Sequence, residues 1–223
     1  ISDCEDVAAT LDCIRALGLD FLREGACVTG YGKGKRALCP TAPLPCRESG
    51  STLRFLIPLA LLSSEEVTFT GAKSLFSRPL SVYETLAEER GLLFSRGEDS
   101  LTVRGPLTAG DFSVVGNISS QFISGLLFAL PLLGGNSRIR ITTAIESRSY
   151  IEMTLRALAM FGVRVMWQDD HTLFIPGGQV YRAENVTVEG DYSGAAFPAA
   201  LNLFGSEVTL TGLSADTVQG DSA

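Results

Sequence analysis

Apolar residues along this chain switch repeatedly between two periods. Val7, Leu11, Ile14 and Leu17 recur at three- and four-residue spacing, which lines one face of an amphipathic helix. That helix is expected over residues 4–17, capped by Asp3 and stopped at Gly18. Short runs at 19–22 and 26–29 predict two strands. Residues 30–36 form a basic turn, and the proline-rich residues 40–45 a loop. Ser49-Gly50-Ser51 then opens a long apolar run to Leu62, a buried helix in which Pro58 conflicts with helical continuity. Residues 66–70 alternate as a strand ending at Gly71, and residues 72–77 read as a loop. Pro79, well placed at a first helical position, starts a surface helix to Arg90, stopped by Gly91. Strands at 92–95 and 101–104 follow, around a turn at 97–99.

The cycle then repeats. It gives a strand at 111–115, a buried helix at 119–133, a strand at 138–142 and a surface helix from Ser147 to Phe161, stopped by Gly162. Strands at 163–167 and 172–175 pair across a turn, and a strand at 185–188, a buried helix at 193–204 and a strand at 207–211 complete the chain. Val7, Leu11, Ile14, Leu17 and Gly18 recur 144 positions later as Ile151, Leu155, Leu158, Phe161 and Gly162. Glu66-Val67-Thr68-Phe69-Thr70-Gly71 recurs 141 positions later as Glu207-Val208-Thr209-Leu210-Thr211-Gly212. Each unit therefore reads strand, buried helix, strand, surface helix, strand, strand. Its length of roughly 70 residues exceeds the usual solenoid periods. The chain starts at the surface helix of one unit and stops after the second strand of another, so it is expected to be part of a longer protein.

Composition narrows the possibilities. With 223 residues, 45% hydrophobic and 19% charged, the chain has enough apolar surface for a globular core. A formal net charge of −7 argues against general attraction to nucleic acid or an anionic membrane. No stretch reaches the roughly 18 uninterrupted apolar residues that span a bilayer. The five cysteines, Cys4, Cys13, Cys27, Cys39 and Cys46, include no C-x-x-C pair. They read as ordinary thiols of a reduced, cytosolic chain rather than as zinc ligands. The basic turn lacks Gly-Lys-Ser/Thr and a following helix, so it is not a nucleotide-binding P-loop.

Chemistry concentrates at the helix starts. Glu48-Ser49-Gly50-Ser51-Thr52-Leu53-Arg54, Asn117-Ile118-Ser119-Ser120-Gln121-Phe122 and Asp191-Tyr192-Ser193-Gly194 each place small polar residues before an apolar run. Such residues cap free backbone N–H groups, and the same groups, at the positive end of the helix dipole, can hold an anion. Arg47 and Arg54 add positive charge near the first start. Pattern alone reads Ser119, Ser120 and Gln121 as a capped helix start, Arg78 as a surface arginine, and Ser147 and Tyr150 as a cap and a core-edge aromatic. Gly50 fits a turn glycine and equally a close backbone approach to a ligand. Arg54 and Arg156 read as solvated or paired. His171, the single histidine, reads as a solvated turn residue, and the pairs Glu65-Glu66, Glu88-Glu89 and Asp169-Asp170 as solvated charges.

Taken in order, six segments resemble the enolpyruvyl transferases, and within them the EPSP synthases. They are Glu48-Ser49-Gly50-Ser51-Thr52-Leu53-Arg54-Phe55, Ser77-Arg78-Pro79-Leu80, Ser119-Ser120-Gln121-Phe122, Ser147-Arg148-Ser149-Tyr150-Ile151, Val188-Glu189-Gly190-Asp191-Tyr192-Ser193 and Gln219-Gly220-Asp221. The resemblance implies an α+β fold of repeated βαβαββ units around a pseudo-threefold axis, an inside-out α/β barrel truncated here at both ends. It implies a three-unit domain over residues 1–188, lacking its first strand and helix. Residues 189–223 would be the hinge and entry into a second domain.

The implied reaction transfers the enolpyruvyl group of phosphoenolpyruvate to the 5-hydroxyl of shikimate 3-phosphate, by addition and elimination, in the shikimate pathway to aromatic amino acids. Ser119, Ser120, Gln121, Ser147 and Tyr150 would bind shikimate 3-phosphate, and Gly50, Arg78 and Gln121 phosphoenolpyruvate. The general base and the family's early lysine fall outside this sequence, so the chain alone is expected to be inactive. The resemblance implies small-molecule substrates only, with no cofactor, metal, nucleic acid or membrane, and a cytoplasmic protein that is monomeric at full length. The sister transferase acting on UDP-N-acetylglucosamine is the alternative, but it uses a cysteine at the position of Lys73. A non-catalytic binding fragment is a further alternative, and RNA 3′-phosphate cyclases would need a better-placed histidine than His171.

Overall fold

The computed structural model describes residues 1–32 and 40–222; most of the basic turn and Cys39 lie outside the described residues. Two complete units share one wiring. In the first, β3 (Leu44–Arg47) leads to α2 (Gly50–Ala60), β4 (Val67–Gly71), α3 (Lys73–Phe76), α4 (Ser81–Arg90), β5 (Leu93–Arg96) and β6 (Ser100–Arg104). In the second, β7 (Asp111–Val114) leads to α5 (Ser120–Ala129), β8 (Ser137–Ile141), α6 (Arg148–Met160), β9 (Met166–Asp169) and β10 (Thr172–Ile175). The sheets run β3-β4-β6-β5 and β7-β8-β10-β9. The first pair of each sheet is parallel and the other pairings are antiparallel. Ahead of them, α1 (Glu5–Ala16), β1 (Asp20–Glu24) and β2 (Cys27–Tyr31) supply the second half of a like unit. The recurrence of Val7–Gly18 at Ile151–Gly162 is thus a repeat of structure, α1 matching α6.

The parallel pairs decide where the helix starts go. A helix following each of two parallel strands must begin at the same edge of the sheet. The starts of α2 and of the α3–α4 segment therefore share the carboxyl edge of the first sheet, and those of α5 and α6 the carboxyl edge of the second. Binding sites of α/β folds form at such edges.

α2 and α5 lie in the core, which runs continuously through Ile57, Phe69, Tyr83, Phe122, Ile123 and Ile139. α5 is buried almost all round, as expected for a helix apolar on every face. A Cβ added to Gly125 would run into the Arg54 carbonyl oxygen and the Tyr83 hydroxyl, so the two helices touch backbone to backbone there. Pro58 continues α2 but cannot donate to the carbonyl of residue 54. The Tyr83 hydroxyl donates to that Arg54 oxygen at 2.8 Å, with the Phe122 carbonyl 3.1 Å away. Tyr83 is fully buried, and its ring meets Phe122 edge-on. Burial pushes its hydroxyl well above the usual tyrosine pKa. Cys13 and Cys46 place their thiols 3.8 Å apart in the core, and the described cysteines are free. The contact with Cys13, together with burial, raises the Cys46 pKa far above its usual value.

Several expectations need correction. Cys4, not Asp3, is the N-cap of α1 and makes no side-chain cap bond. Asp3 lies one residue too early and pairs with Arg23 at 3.0 Å. Part of the expected loop at 40–45 belongs to β3, where Pro45 is tolerated because the strand is at the sheet edge. The expected loop at 72–77 contains α3, and α4 starts at Ser81 rather than Pro79. The helix expected over 119–133 ends at Ala129 and tightens into a 3-10 turn, Leu130–Leu132, around Pro131. β9 lies three residues beyond the expected start at 163. The strands expected at 185–188 and 207–211 do not form. Just beyond both stretches the Gly190 amide donates to the Gly212 carbonyl at 2.8 Å, and Val188 is 71% exposed. α7 (Tyr192–Ala200) forms where a buried helix was expected, yet none of its residues is buried. Among the described residues no helix is long and apolar enough to cross a membrane.

Candidate active site

The start of α2 is built by its own hydroxyls. Ser49 accepts a hydrogen bond from the Thr52 amide at 3.3 Å, and the Thr52 hydroxyl donates to Ser49 Oγ at 2.8 Å. Ser49 is therefore spent as a cap. Gly50, the first helical residue, faces two arginines. A Cβ at Gly50 would lie 2.8 Å from Arg78 Nη1 and 3.2 Å from Arg54 Nη1. Arg78 arrives from the α3–α4 turn and Arg54 from one turn further along α2 itself.

Arg54 links this corner to α5. Its Nη1 donates to Gln121 Oε1 at 2.8 Å and its Nη2 to the Pro79 carbonyl at 3.4 Å. The guanidinium carbon sits 5.2 Å from the centre of the Phe122 ring, a cation–π contact. Its Nε is buried without a hydrogen-bond partner. Burial lowers the Arg54 pKa, and the neighbouring charge of Arg78 lowers it further. Among the described residues neither Arg54 nor Arg78 is paired with a carboxylate. Two unneutralised guanidiniums converging on a helix start favour an anion.

On α5, Ser119 caps the helix by accepting from the Gln121 amide at 3.3 Å. The Ser120 hydroxyl is not engaged among the described residues, and Ser120 is 9% exposed. Because Gln121 Oε1 accepts from Arg54, its amide nitrogen is left with donors to offer. The second pair of starts is also tied together. The Gly116 amide, just before Ser119, donates to Thr143 Oγ1 at 2.8 Å. Further along, the buried hydroxyls of Ser124 and Thr154 lie 2.7 Å apart, and Thr154 donates to the Tyr150 carbonyl at 2.9 Å. Ser147 is the N-cap of α6 without a side-chain cap bond. Tyr150, in the first turn, is 48% exposed.

The structure thus brings Gly50, Arg78 and Gln121 to one corner and places Ser119 and Ser120 beside it. Ser147 and Tyr150 stand on the neighbouring helix start, with no bond from their side chains to residues 119–121. Arg47, read as charge near Gly50, pairs instead with Glu5 and Asp12 on α1. Arg54, read as solvated or paired, is the hub of the corner. Its position four residues after Gly50 on the same helix was the available signal, since residues four apart share a face. Lys73 pairs with Glu98 on the surface at 2.6 Å. Arg156 holds Asp216, donating to its carbonyl at 2.6 Å.

The family model described as EPSP synthase (3-phosphoshikimate 1-carboxyvinyltransferase) matches residues 1–223. A 3-phosphoshikimate 1-carboxyvinyltransferase from Clostridium kluyveri is 42% identical over 220 residues, covering 97% of this chain and 51% of that protein. The enzyme of the same name from Brachyspira hyodysenteriae is 48% identical over 175 residues, covering 78% of this chain and 42% of its own length. Among solved structures, an EPSP synthase from Acinetobacter baumannii superimposes with a TM-score of 0.74 at 24% identity, over 88% of this chain and 44% of that one. It shares the α+β fold of repeated units. The chain spans about half the length of the curated relatives it matches.

Proposed function

The chain belongs to the EPSP synthase family, and on that premise we propose that the complete protein transfers the enolpyruvyl group of phosphoenolpyruvate to the 5-hydroxyl of shikimate 3-phosphate. The hydroxyl gives up its proton as its oxygen adds to C2 of phosphoenolpyruvate, and the methylene carbon of phosphoenolpyruvate gains a proton. The tetrahedral adduct then loses phosphate and one methyl proton, leaving the enolpyruvyl ether.

The observation that carries this reading is the pair of carboxylate-free guanidiniums converging on Gly50. In this assignment Arg78 and the amides at the α2 start receive the phosphoenolpyruvate phosphate. A planar guanidinium suits that phosphate bidentately. The amide donors of Gln121, oriented by Arg54, reach both substrates. Ser119 and Ser120 take the 3-phosphate at the α5 start, and Ser147 and Tyr150 hold the shikimate ring from the α6 start. No carboxylate in the described residues pairs with Arg54 or Arg78, and the proton transfers are assigned to groups outside this cluster. Residues 1–188 then form the substrate-phosphate domain, and residues from 189 onward lead out of it. The same reading makes the protein a cytoplasmic monomer.

Phosphate release by the complete protein with phosphoenolpyruvate and either acceptor tests the reading. Release is expected with shikimate 3-phosphate and not with UDP-N-acetylglucosamine; the reverse preference would assign the protein to the sister reaction.

A further inference from the structure

Arg78 is useful only if its turn is held, and the structure contains a device that holds it. Arg96, the last residue of β5, extends its guanidinium under the α3–α4 turn. Nε donates to the Phe76 carbonyl at 2.8 Å, and Nη2 donates to the same oxygen and to the Arg78 carbonyl, the latter at 2.9 Å. Nη1 donates to Glu84 Oε1 on α4 at 2.8 Å. The two side chains are 29% and 36% exposed. One planar group therefore joins the end of α3, the backbone of Arg78 and the first turns of α4.

The rest of the turn is fixed at complementary points. The Ser77 hydroxyl donates to the Ser74 carbonyl at 2.8 Å, and the Arg78 amide to the Leu75 carbonyl at 3.2 Å. Both backbone polar groups of Arg78 are thereby engaged. This sets the direction in which its side chain leaves the backbone, towards Gly50. We propose that Arg96, oriented by Glu84, is a positioning residue for Arg78. The proposal rests on the reading of Arg78 as the phosphoenolpyruvate phosphate ligand. A guanidinium suits the task because its rigid fork of donors serves two carbonyls and a carboxylate at once, which the single ammonium of lysine does less well.

The alternative role is a cap for the last carbonyls of α3, which would affect stability alone. The test uses Arg96→Met, Arg96→Lys, Glu84→Gln, Arg78→Met and the Arg96→Met/Arg78→Met pair in the complete enzyme. KM for each substrate and the melting temperature are measured. Arg96→Met is expected to raise KM for phosphoenolpyruvate roughly tenfold while KM for shikimate 3-phosphate stays within about twofold. Arg96→Lys and Glu84→Gln are expected to fall between it and the parent, and they carry the test if Arg96→Met fails to fold. Adding Arg96→Met to Arg78→Met should change the phosphoenolpyruvate KM by less than about twofold, because the clamp acts through Arg78.

A lowered melting temperature with an unchanged phosphoenolpyruvate KM would reduce Arg96 to a helix cap. Full additivity with Arg78→Met would show that it does not act through Arg78. If Arg78→Met itself leaves the phosphoenolpyruvate KM unchanged, the phosphate-site reading falls and the clamp's function with it.

Discussion

Gly50 is the residue at which stability and binding ask for different side chains. It is the first helical residue of α2, a position at which alanine is at least as good a helix former as glycine. An alanine Cβ would meet Arg78 Nη1 at 2.8 Å and Arg54 Nη1 at 3.2 Å, both flexible ends that can swing away. Gly50→Ala is therefore expected to leave the melting temperature unchanged or slightly higher. By displacing Arg78 it should raise KM for phosphoenolpyruvate roughly tenfold, equivalent to about 1.4 kcal/mol. A loss of stability with unaltered binding would contradict this account of the glycine.

Tyr83 makes a second residue-scale case. Its hydroxyl serves the carbonyl that Pro58 leaves without a helical partner, so Tyr83→Phe should cost about 1–3 kcal/mol at neutral pH. Burial raises the folded-state pKa of Tyr83. Above about pH 10 the unfolded chain releases that proton and the folded one keeps it, so stability falls with rising pH. Tyr83→Phe removes this component. Tyr181, raised by burial, and Cys46, raised by its contact with Cys13 and by burial, leave a residual slope. Urea midpoints of the two proteins between about pH 8 and 11 should therefore converge as pH rises; parallel curves would show that Tyr83 does not titrate as described.

Among the elements, α2 and α5 carry both the core and the site, and Gly125 lets them touch. Gly125→Ala would press a methyl group into the Arg54 carbonyl and the buried Tyr83, neither free to yield. The expected destabilisation is about 3 kcal/mol, at the upper end for overpacking, and denaturant unfolding would measure it. A variant as stable as the parent would mean that the helices separate without penalty.

This scale also shows what the sequence could reveal. The caps Ser49 and Ser119 and the left-handed stops Gly91 (φ 64°) and Gly162 (φ 77°) were legible because their chemistry is local. β3 was hidden by Pro45, which breaks strand propensity but not an edge strand. The stretches 185–188 and 207–211 alternate correctly yet form no ladder, since alternation encodes a face and not the partner that completes it. The Arg54–Gln121 bond spans 67 positions, and Arg96 reaches the α3–α4 turn at Arg78 from the end of β5. Neither juxtaposition has a local signature: the spacing from Gly50 places Arg54 on the same helix face, but its bond to Gln121 and the reach of Arg96 needed the fold.

Across the whole molecule, the cluster at the α2 and α5 starts supplies cations, amide donors and hydroxyls. Its carboxylate, Glu48, accepts from the Ser74 hydroxyl at 2.9 Å, and none among the described residues pairs with Arg54 or Arg78. With the proton transfers assigned outside this cluster, the 223-residue chain by itself is expected to release no phosphate from phosphoenolpyruvate and shikimate 3-phosphate; turnover by it would show that the proton-transfer group lies within the chain. α7 and the 3-10 turn after it leave Phe197, Leu203 and Phe204 more than 80% exposed, so the core described here ends before that segment. We propose a division of labour between neighbouring helix starts in the complete protein, with Arg78 serving phosphoenolpyruvate and Ser120 serving shikimate 3-phosphate. Steady-state titration of each substrate in the complete enzyme carrying Arg78→Met or Ser120→Ala tests it most directly. Arg78→Met should raise KM for phosphoenolpyruvate at least about tenfold with little change for shikimate 3-phosphate, and Ser120→Ala should do the converse. Equal shifts in both constants for both variants, or none in either, would contradict the assignment.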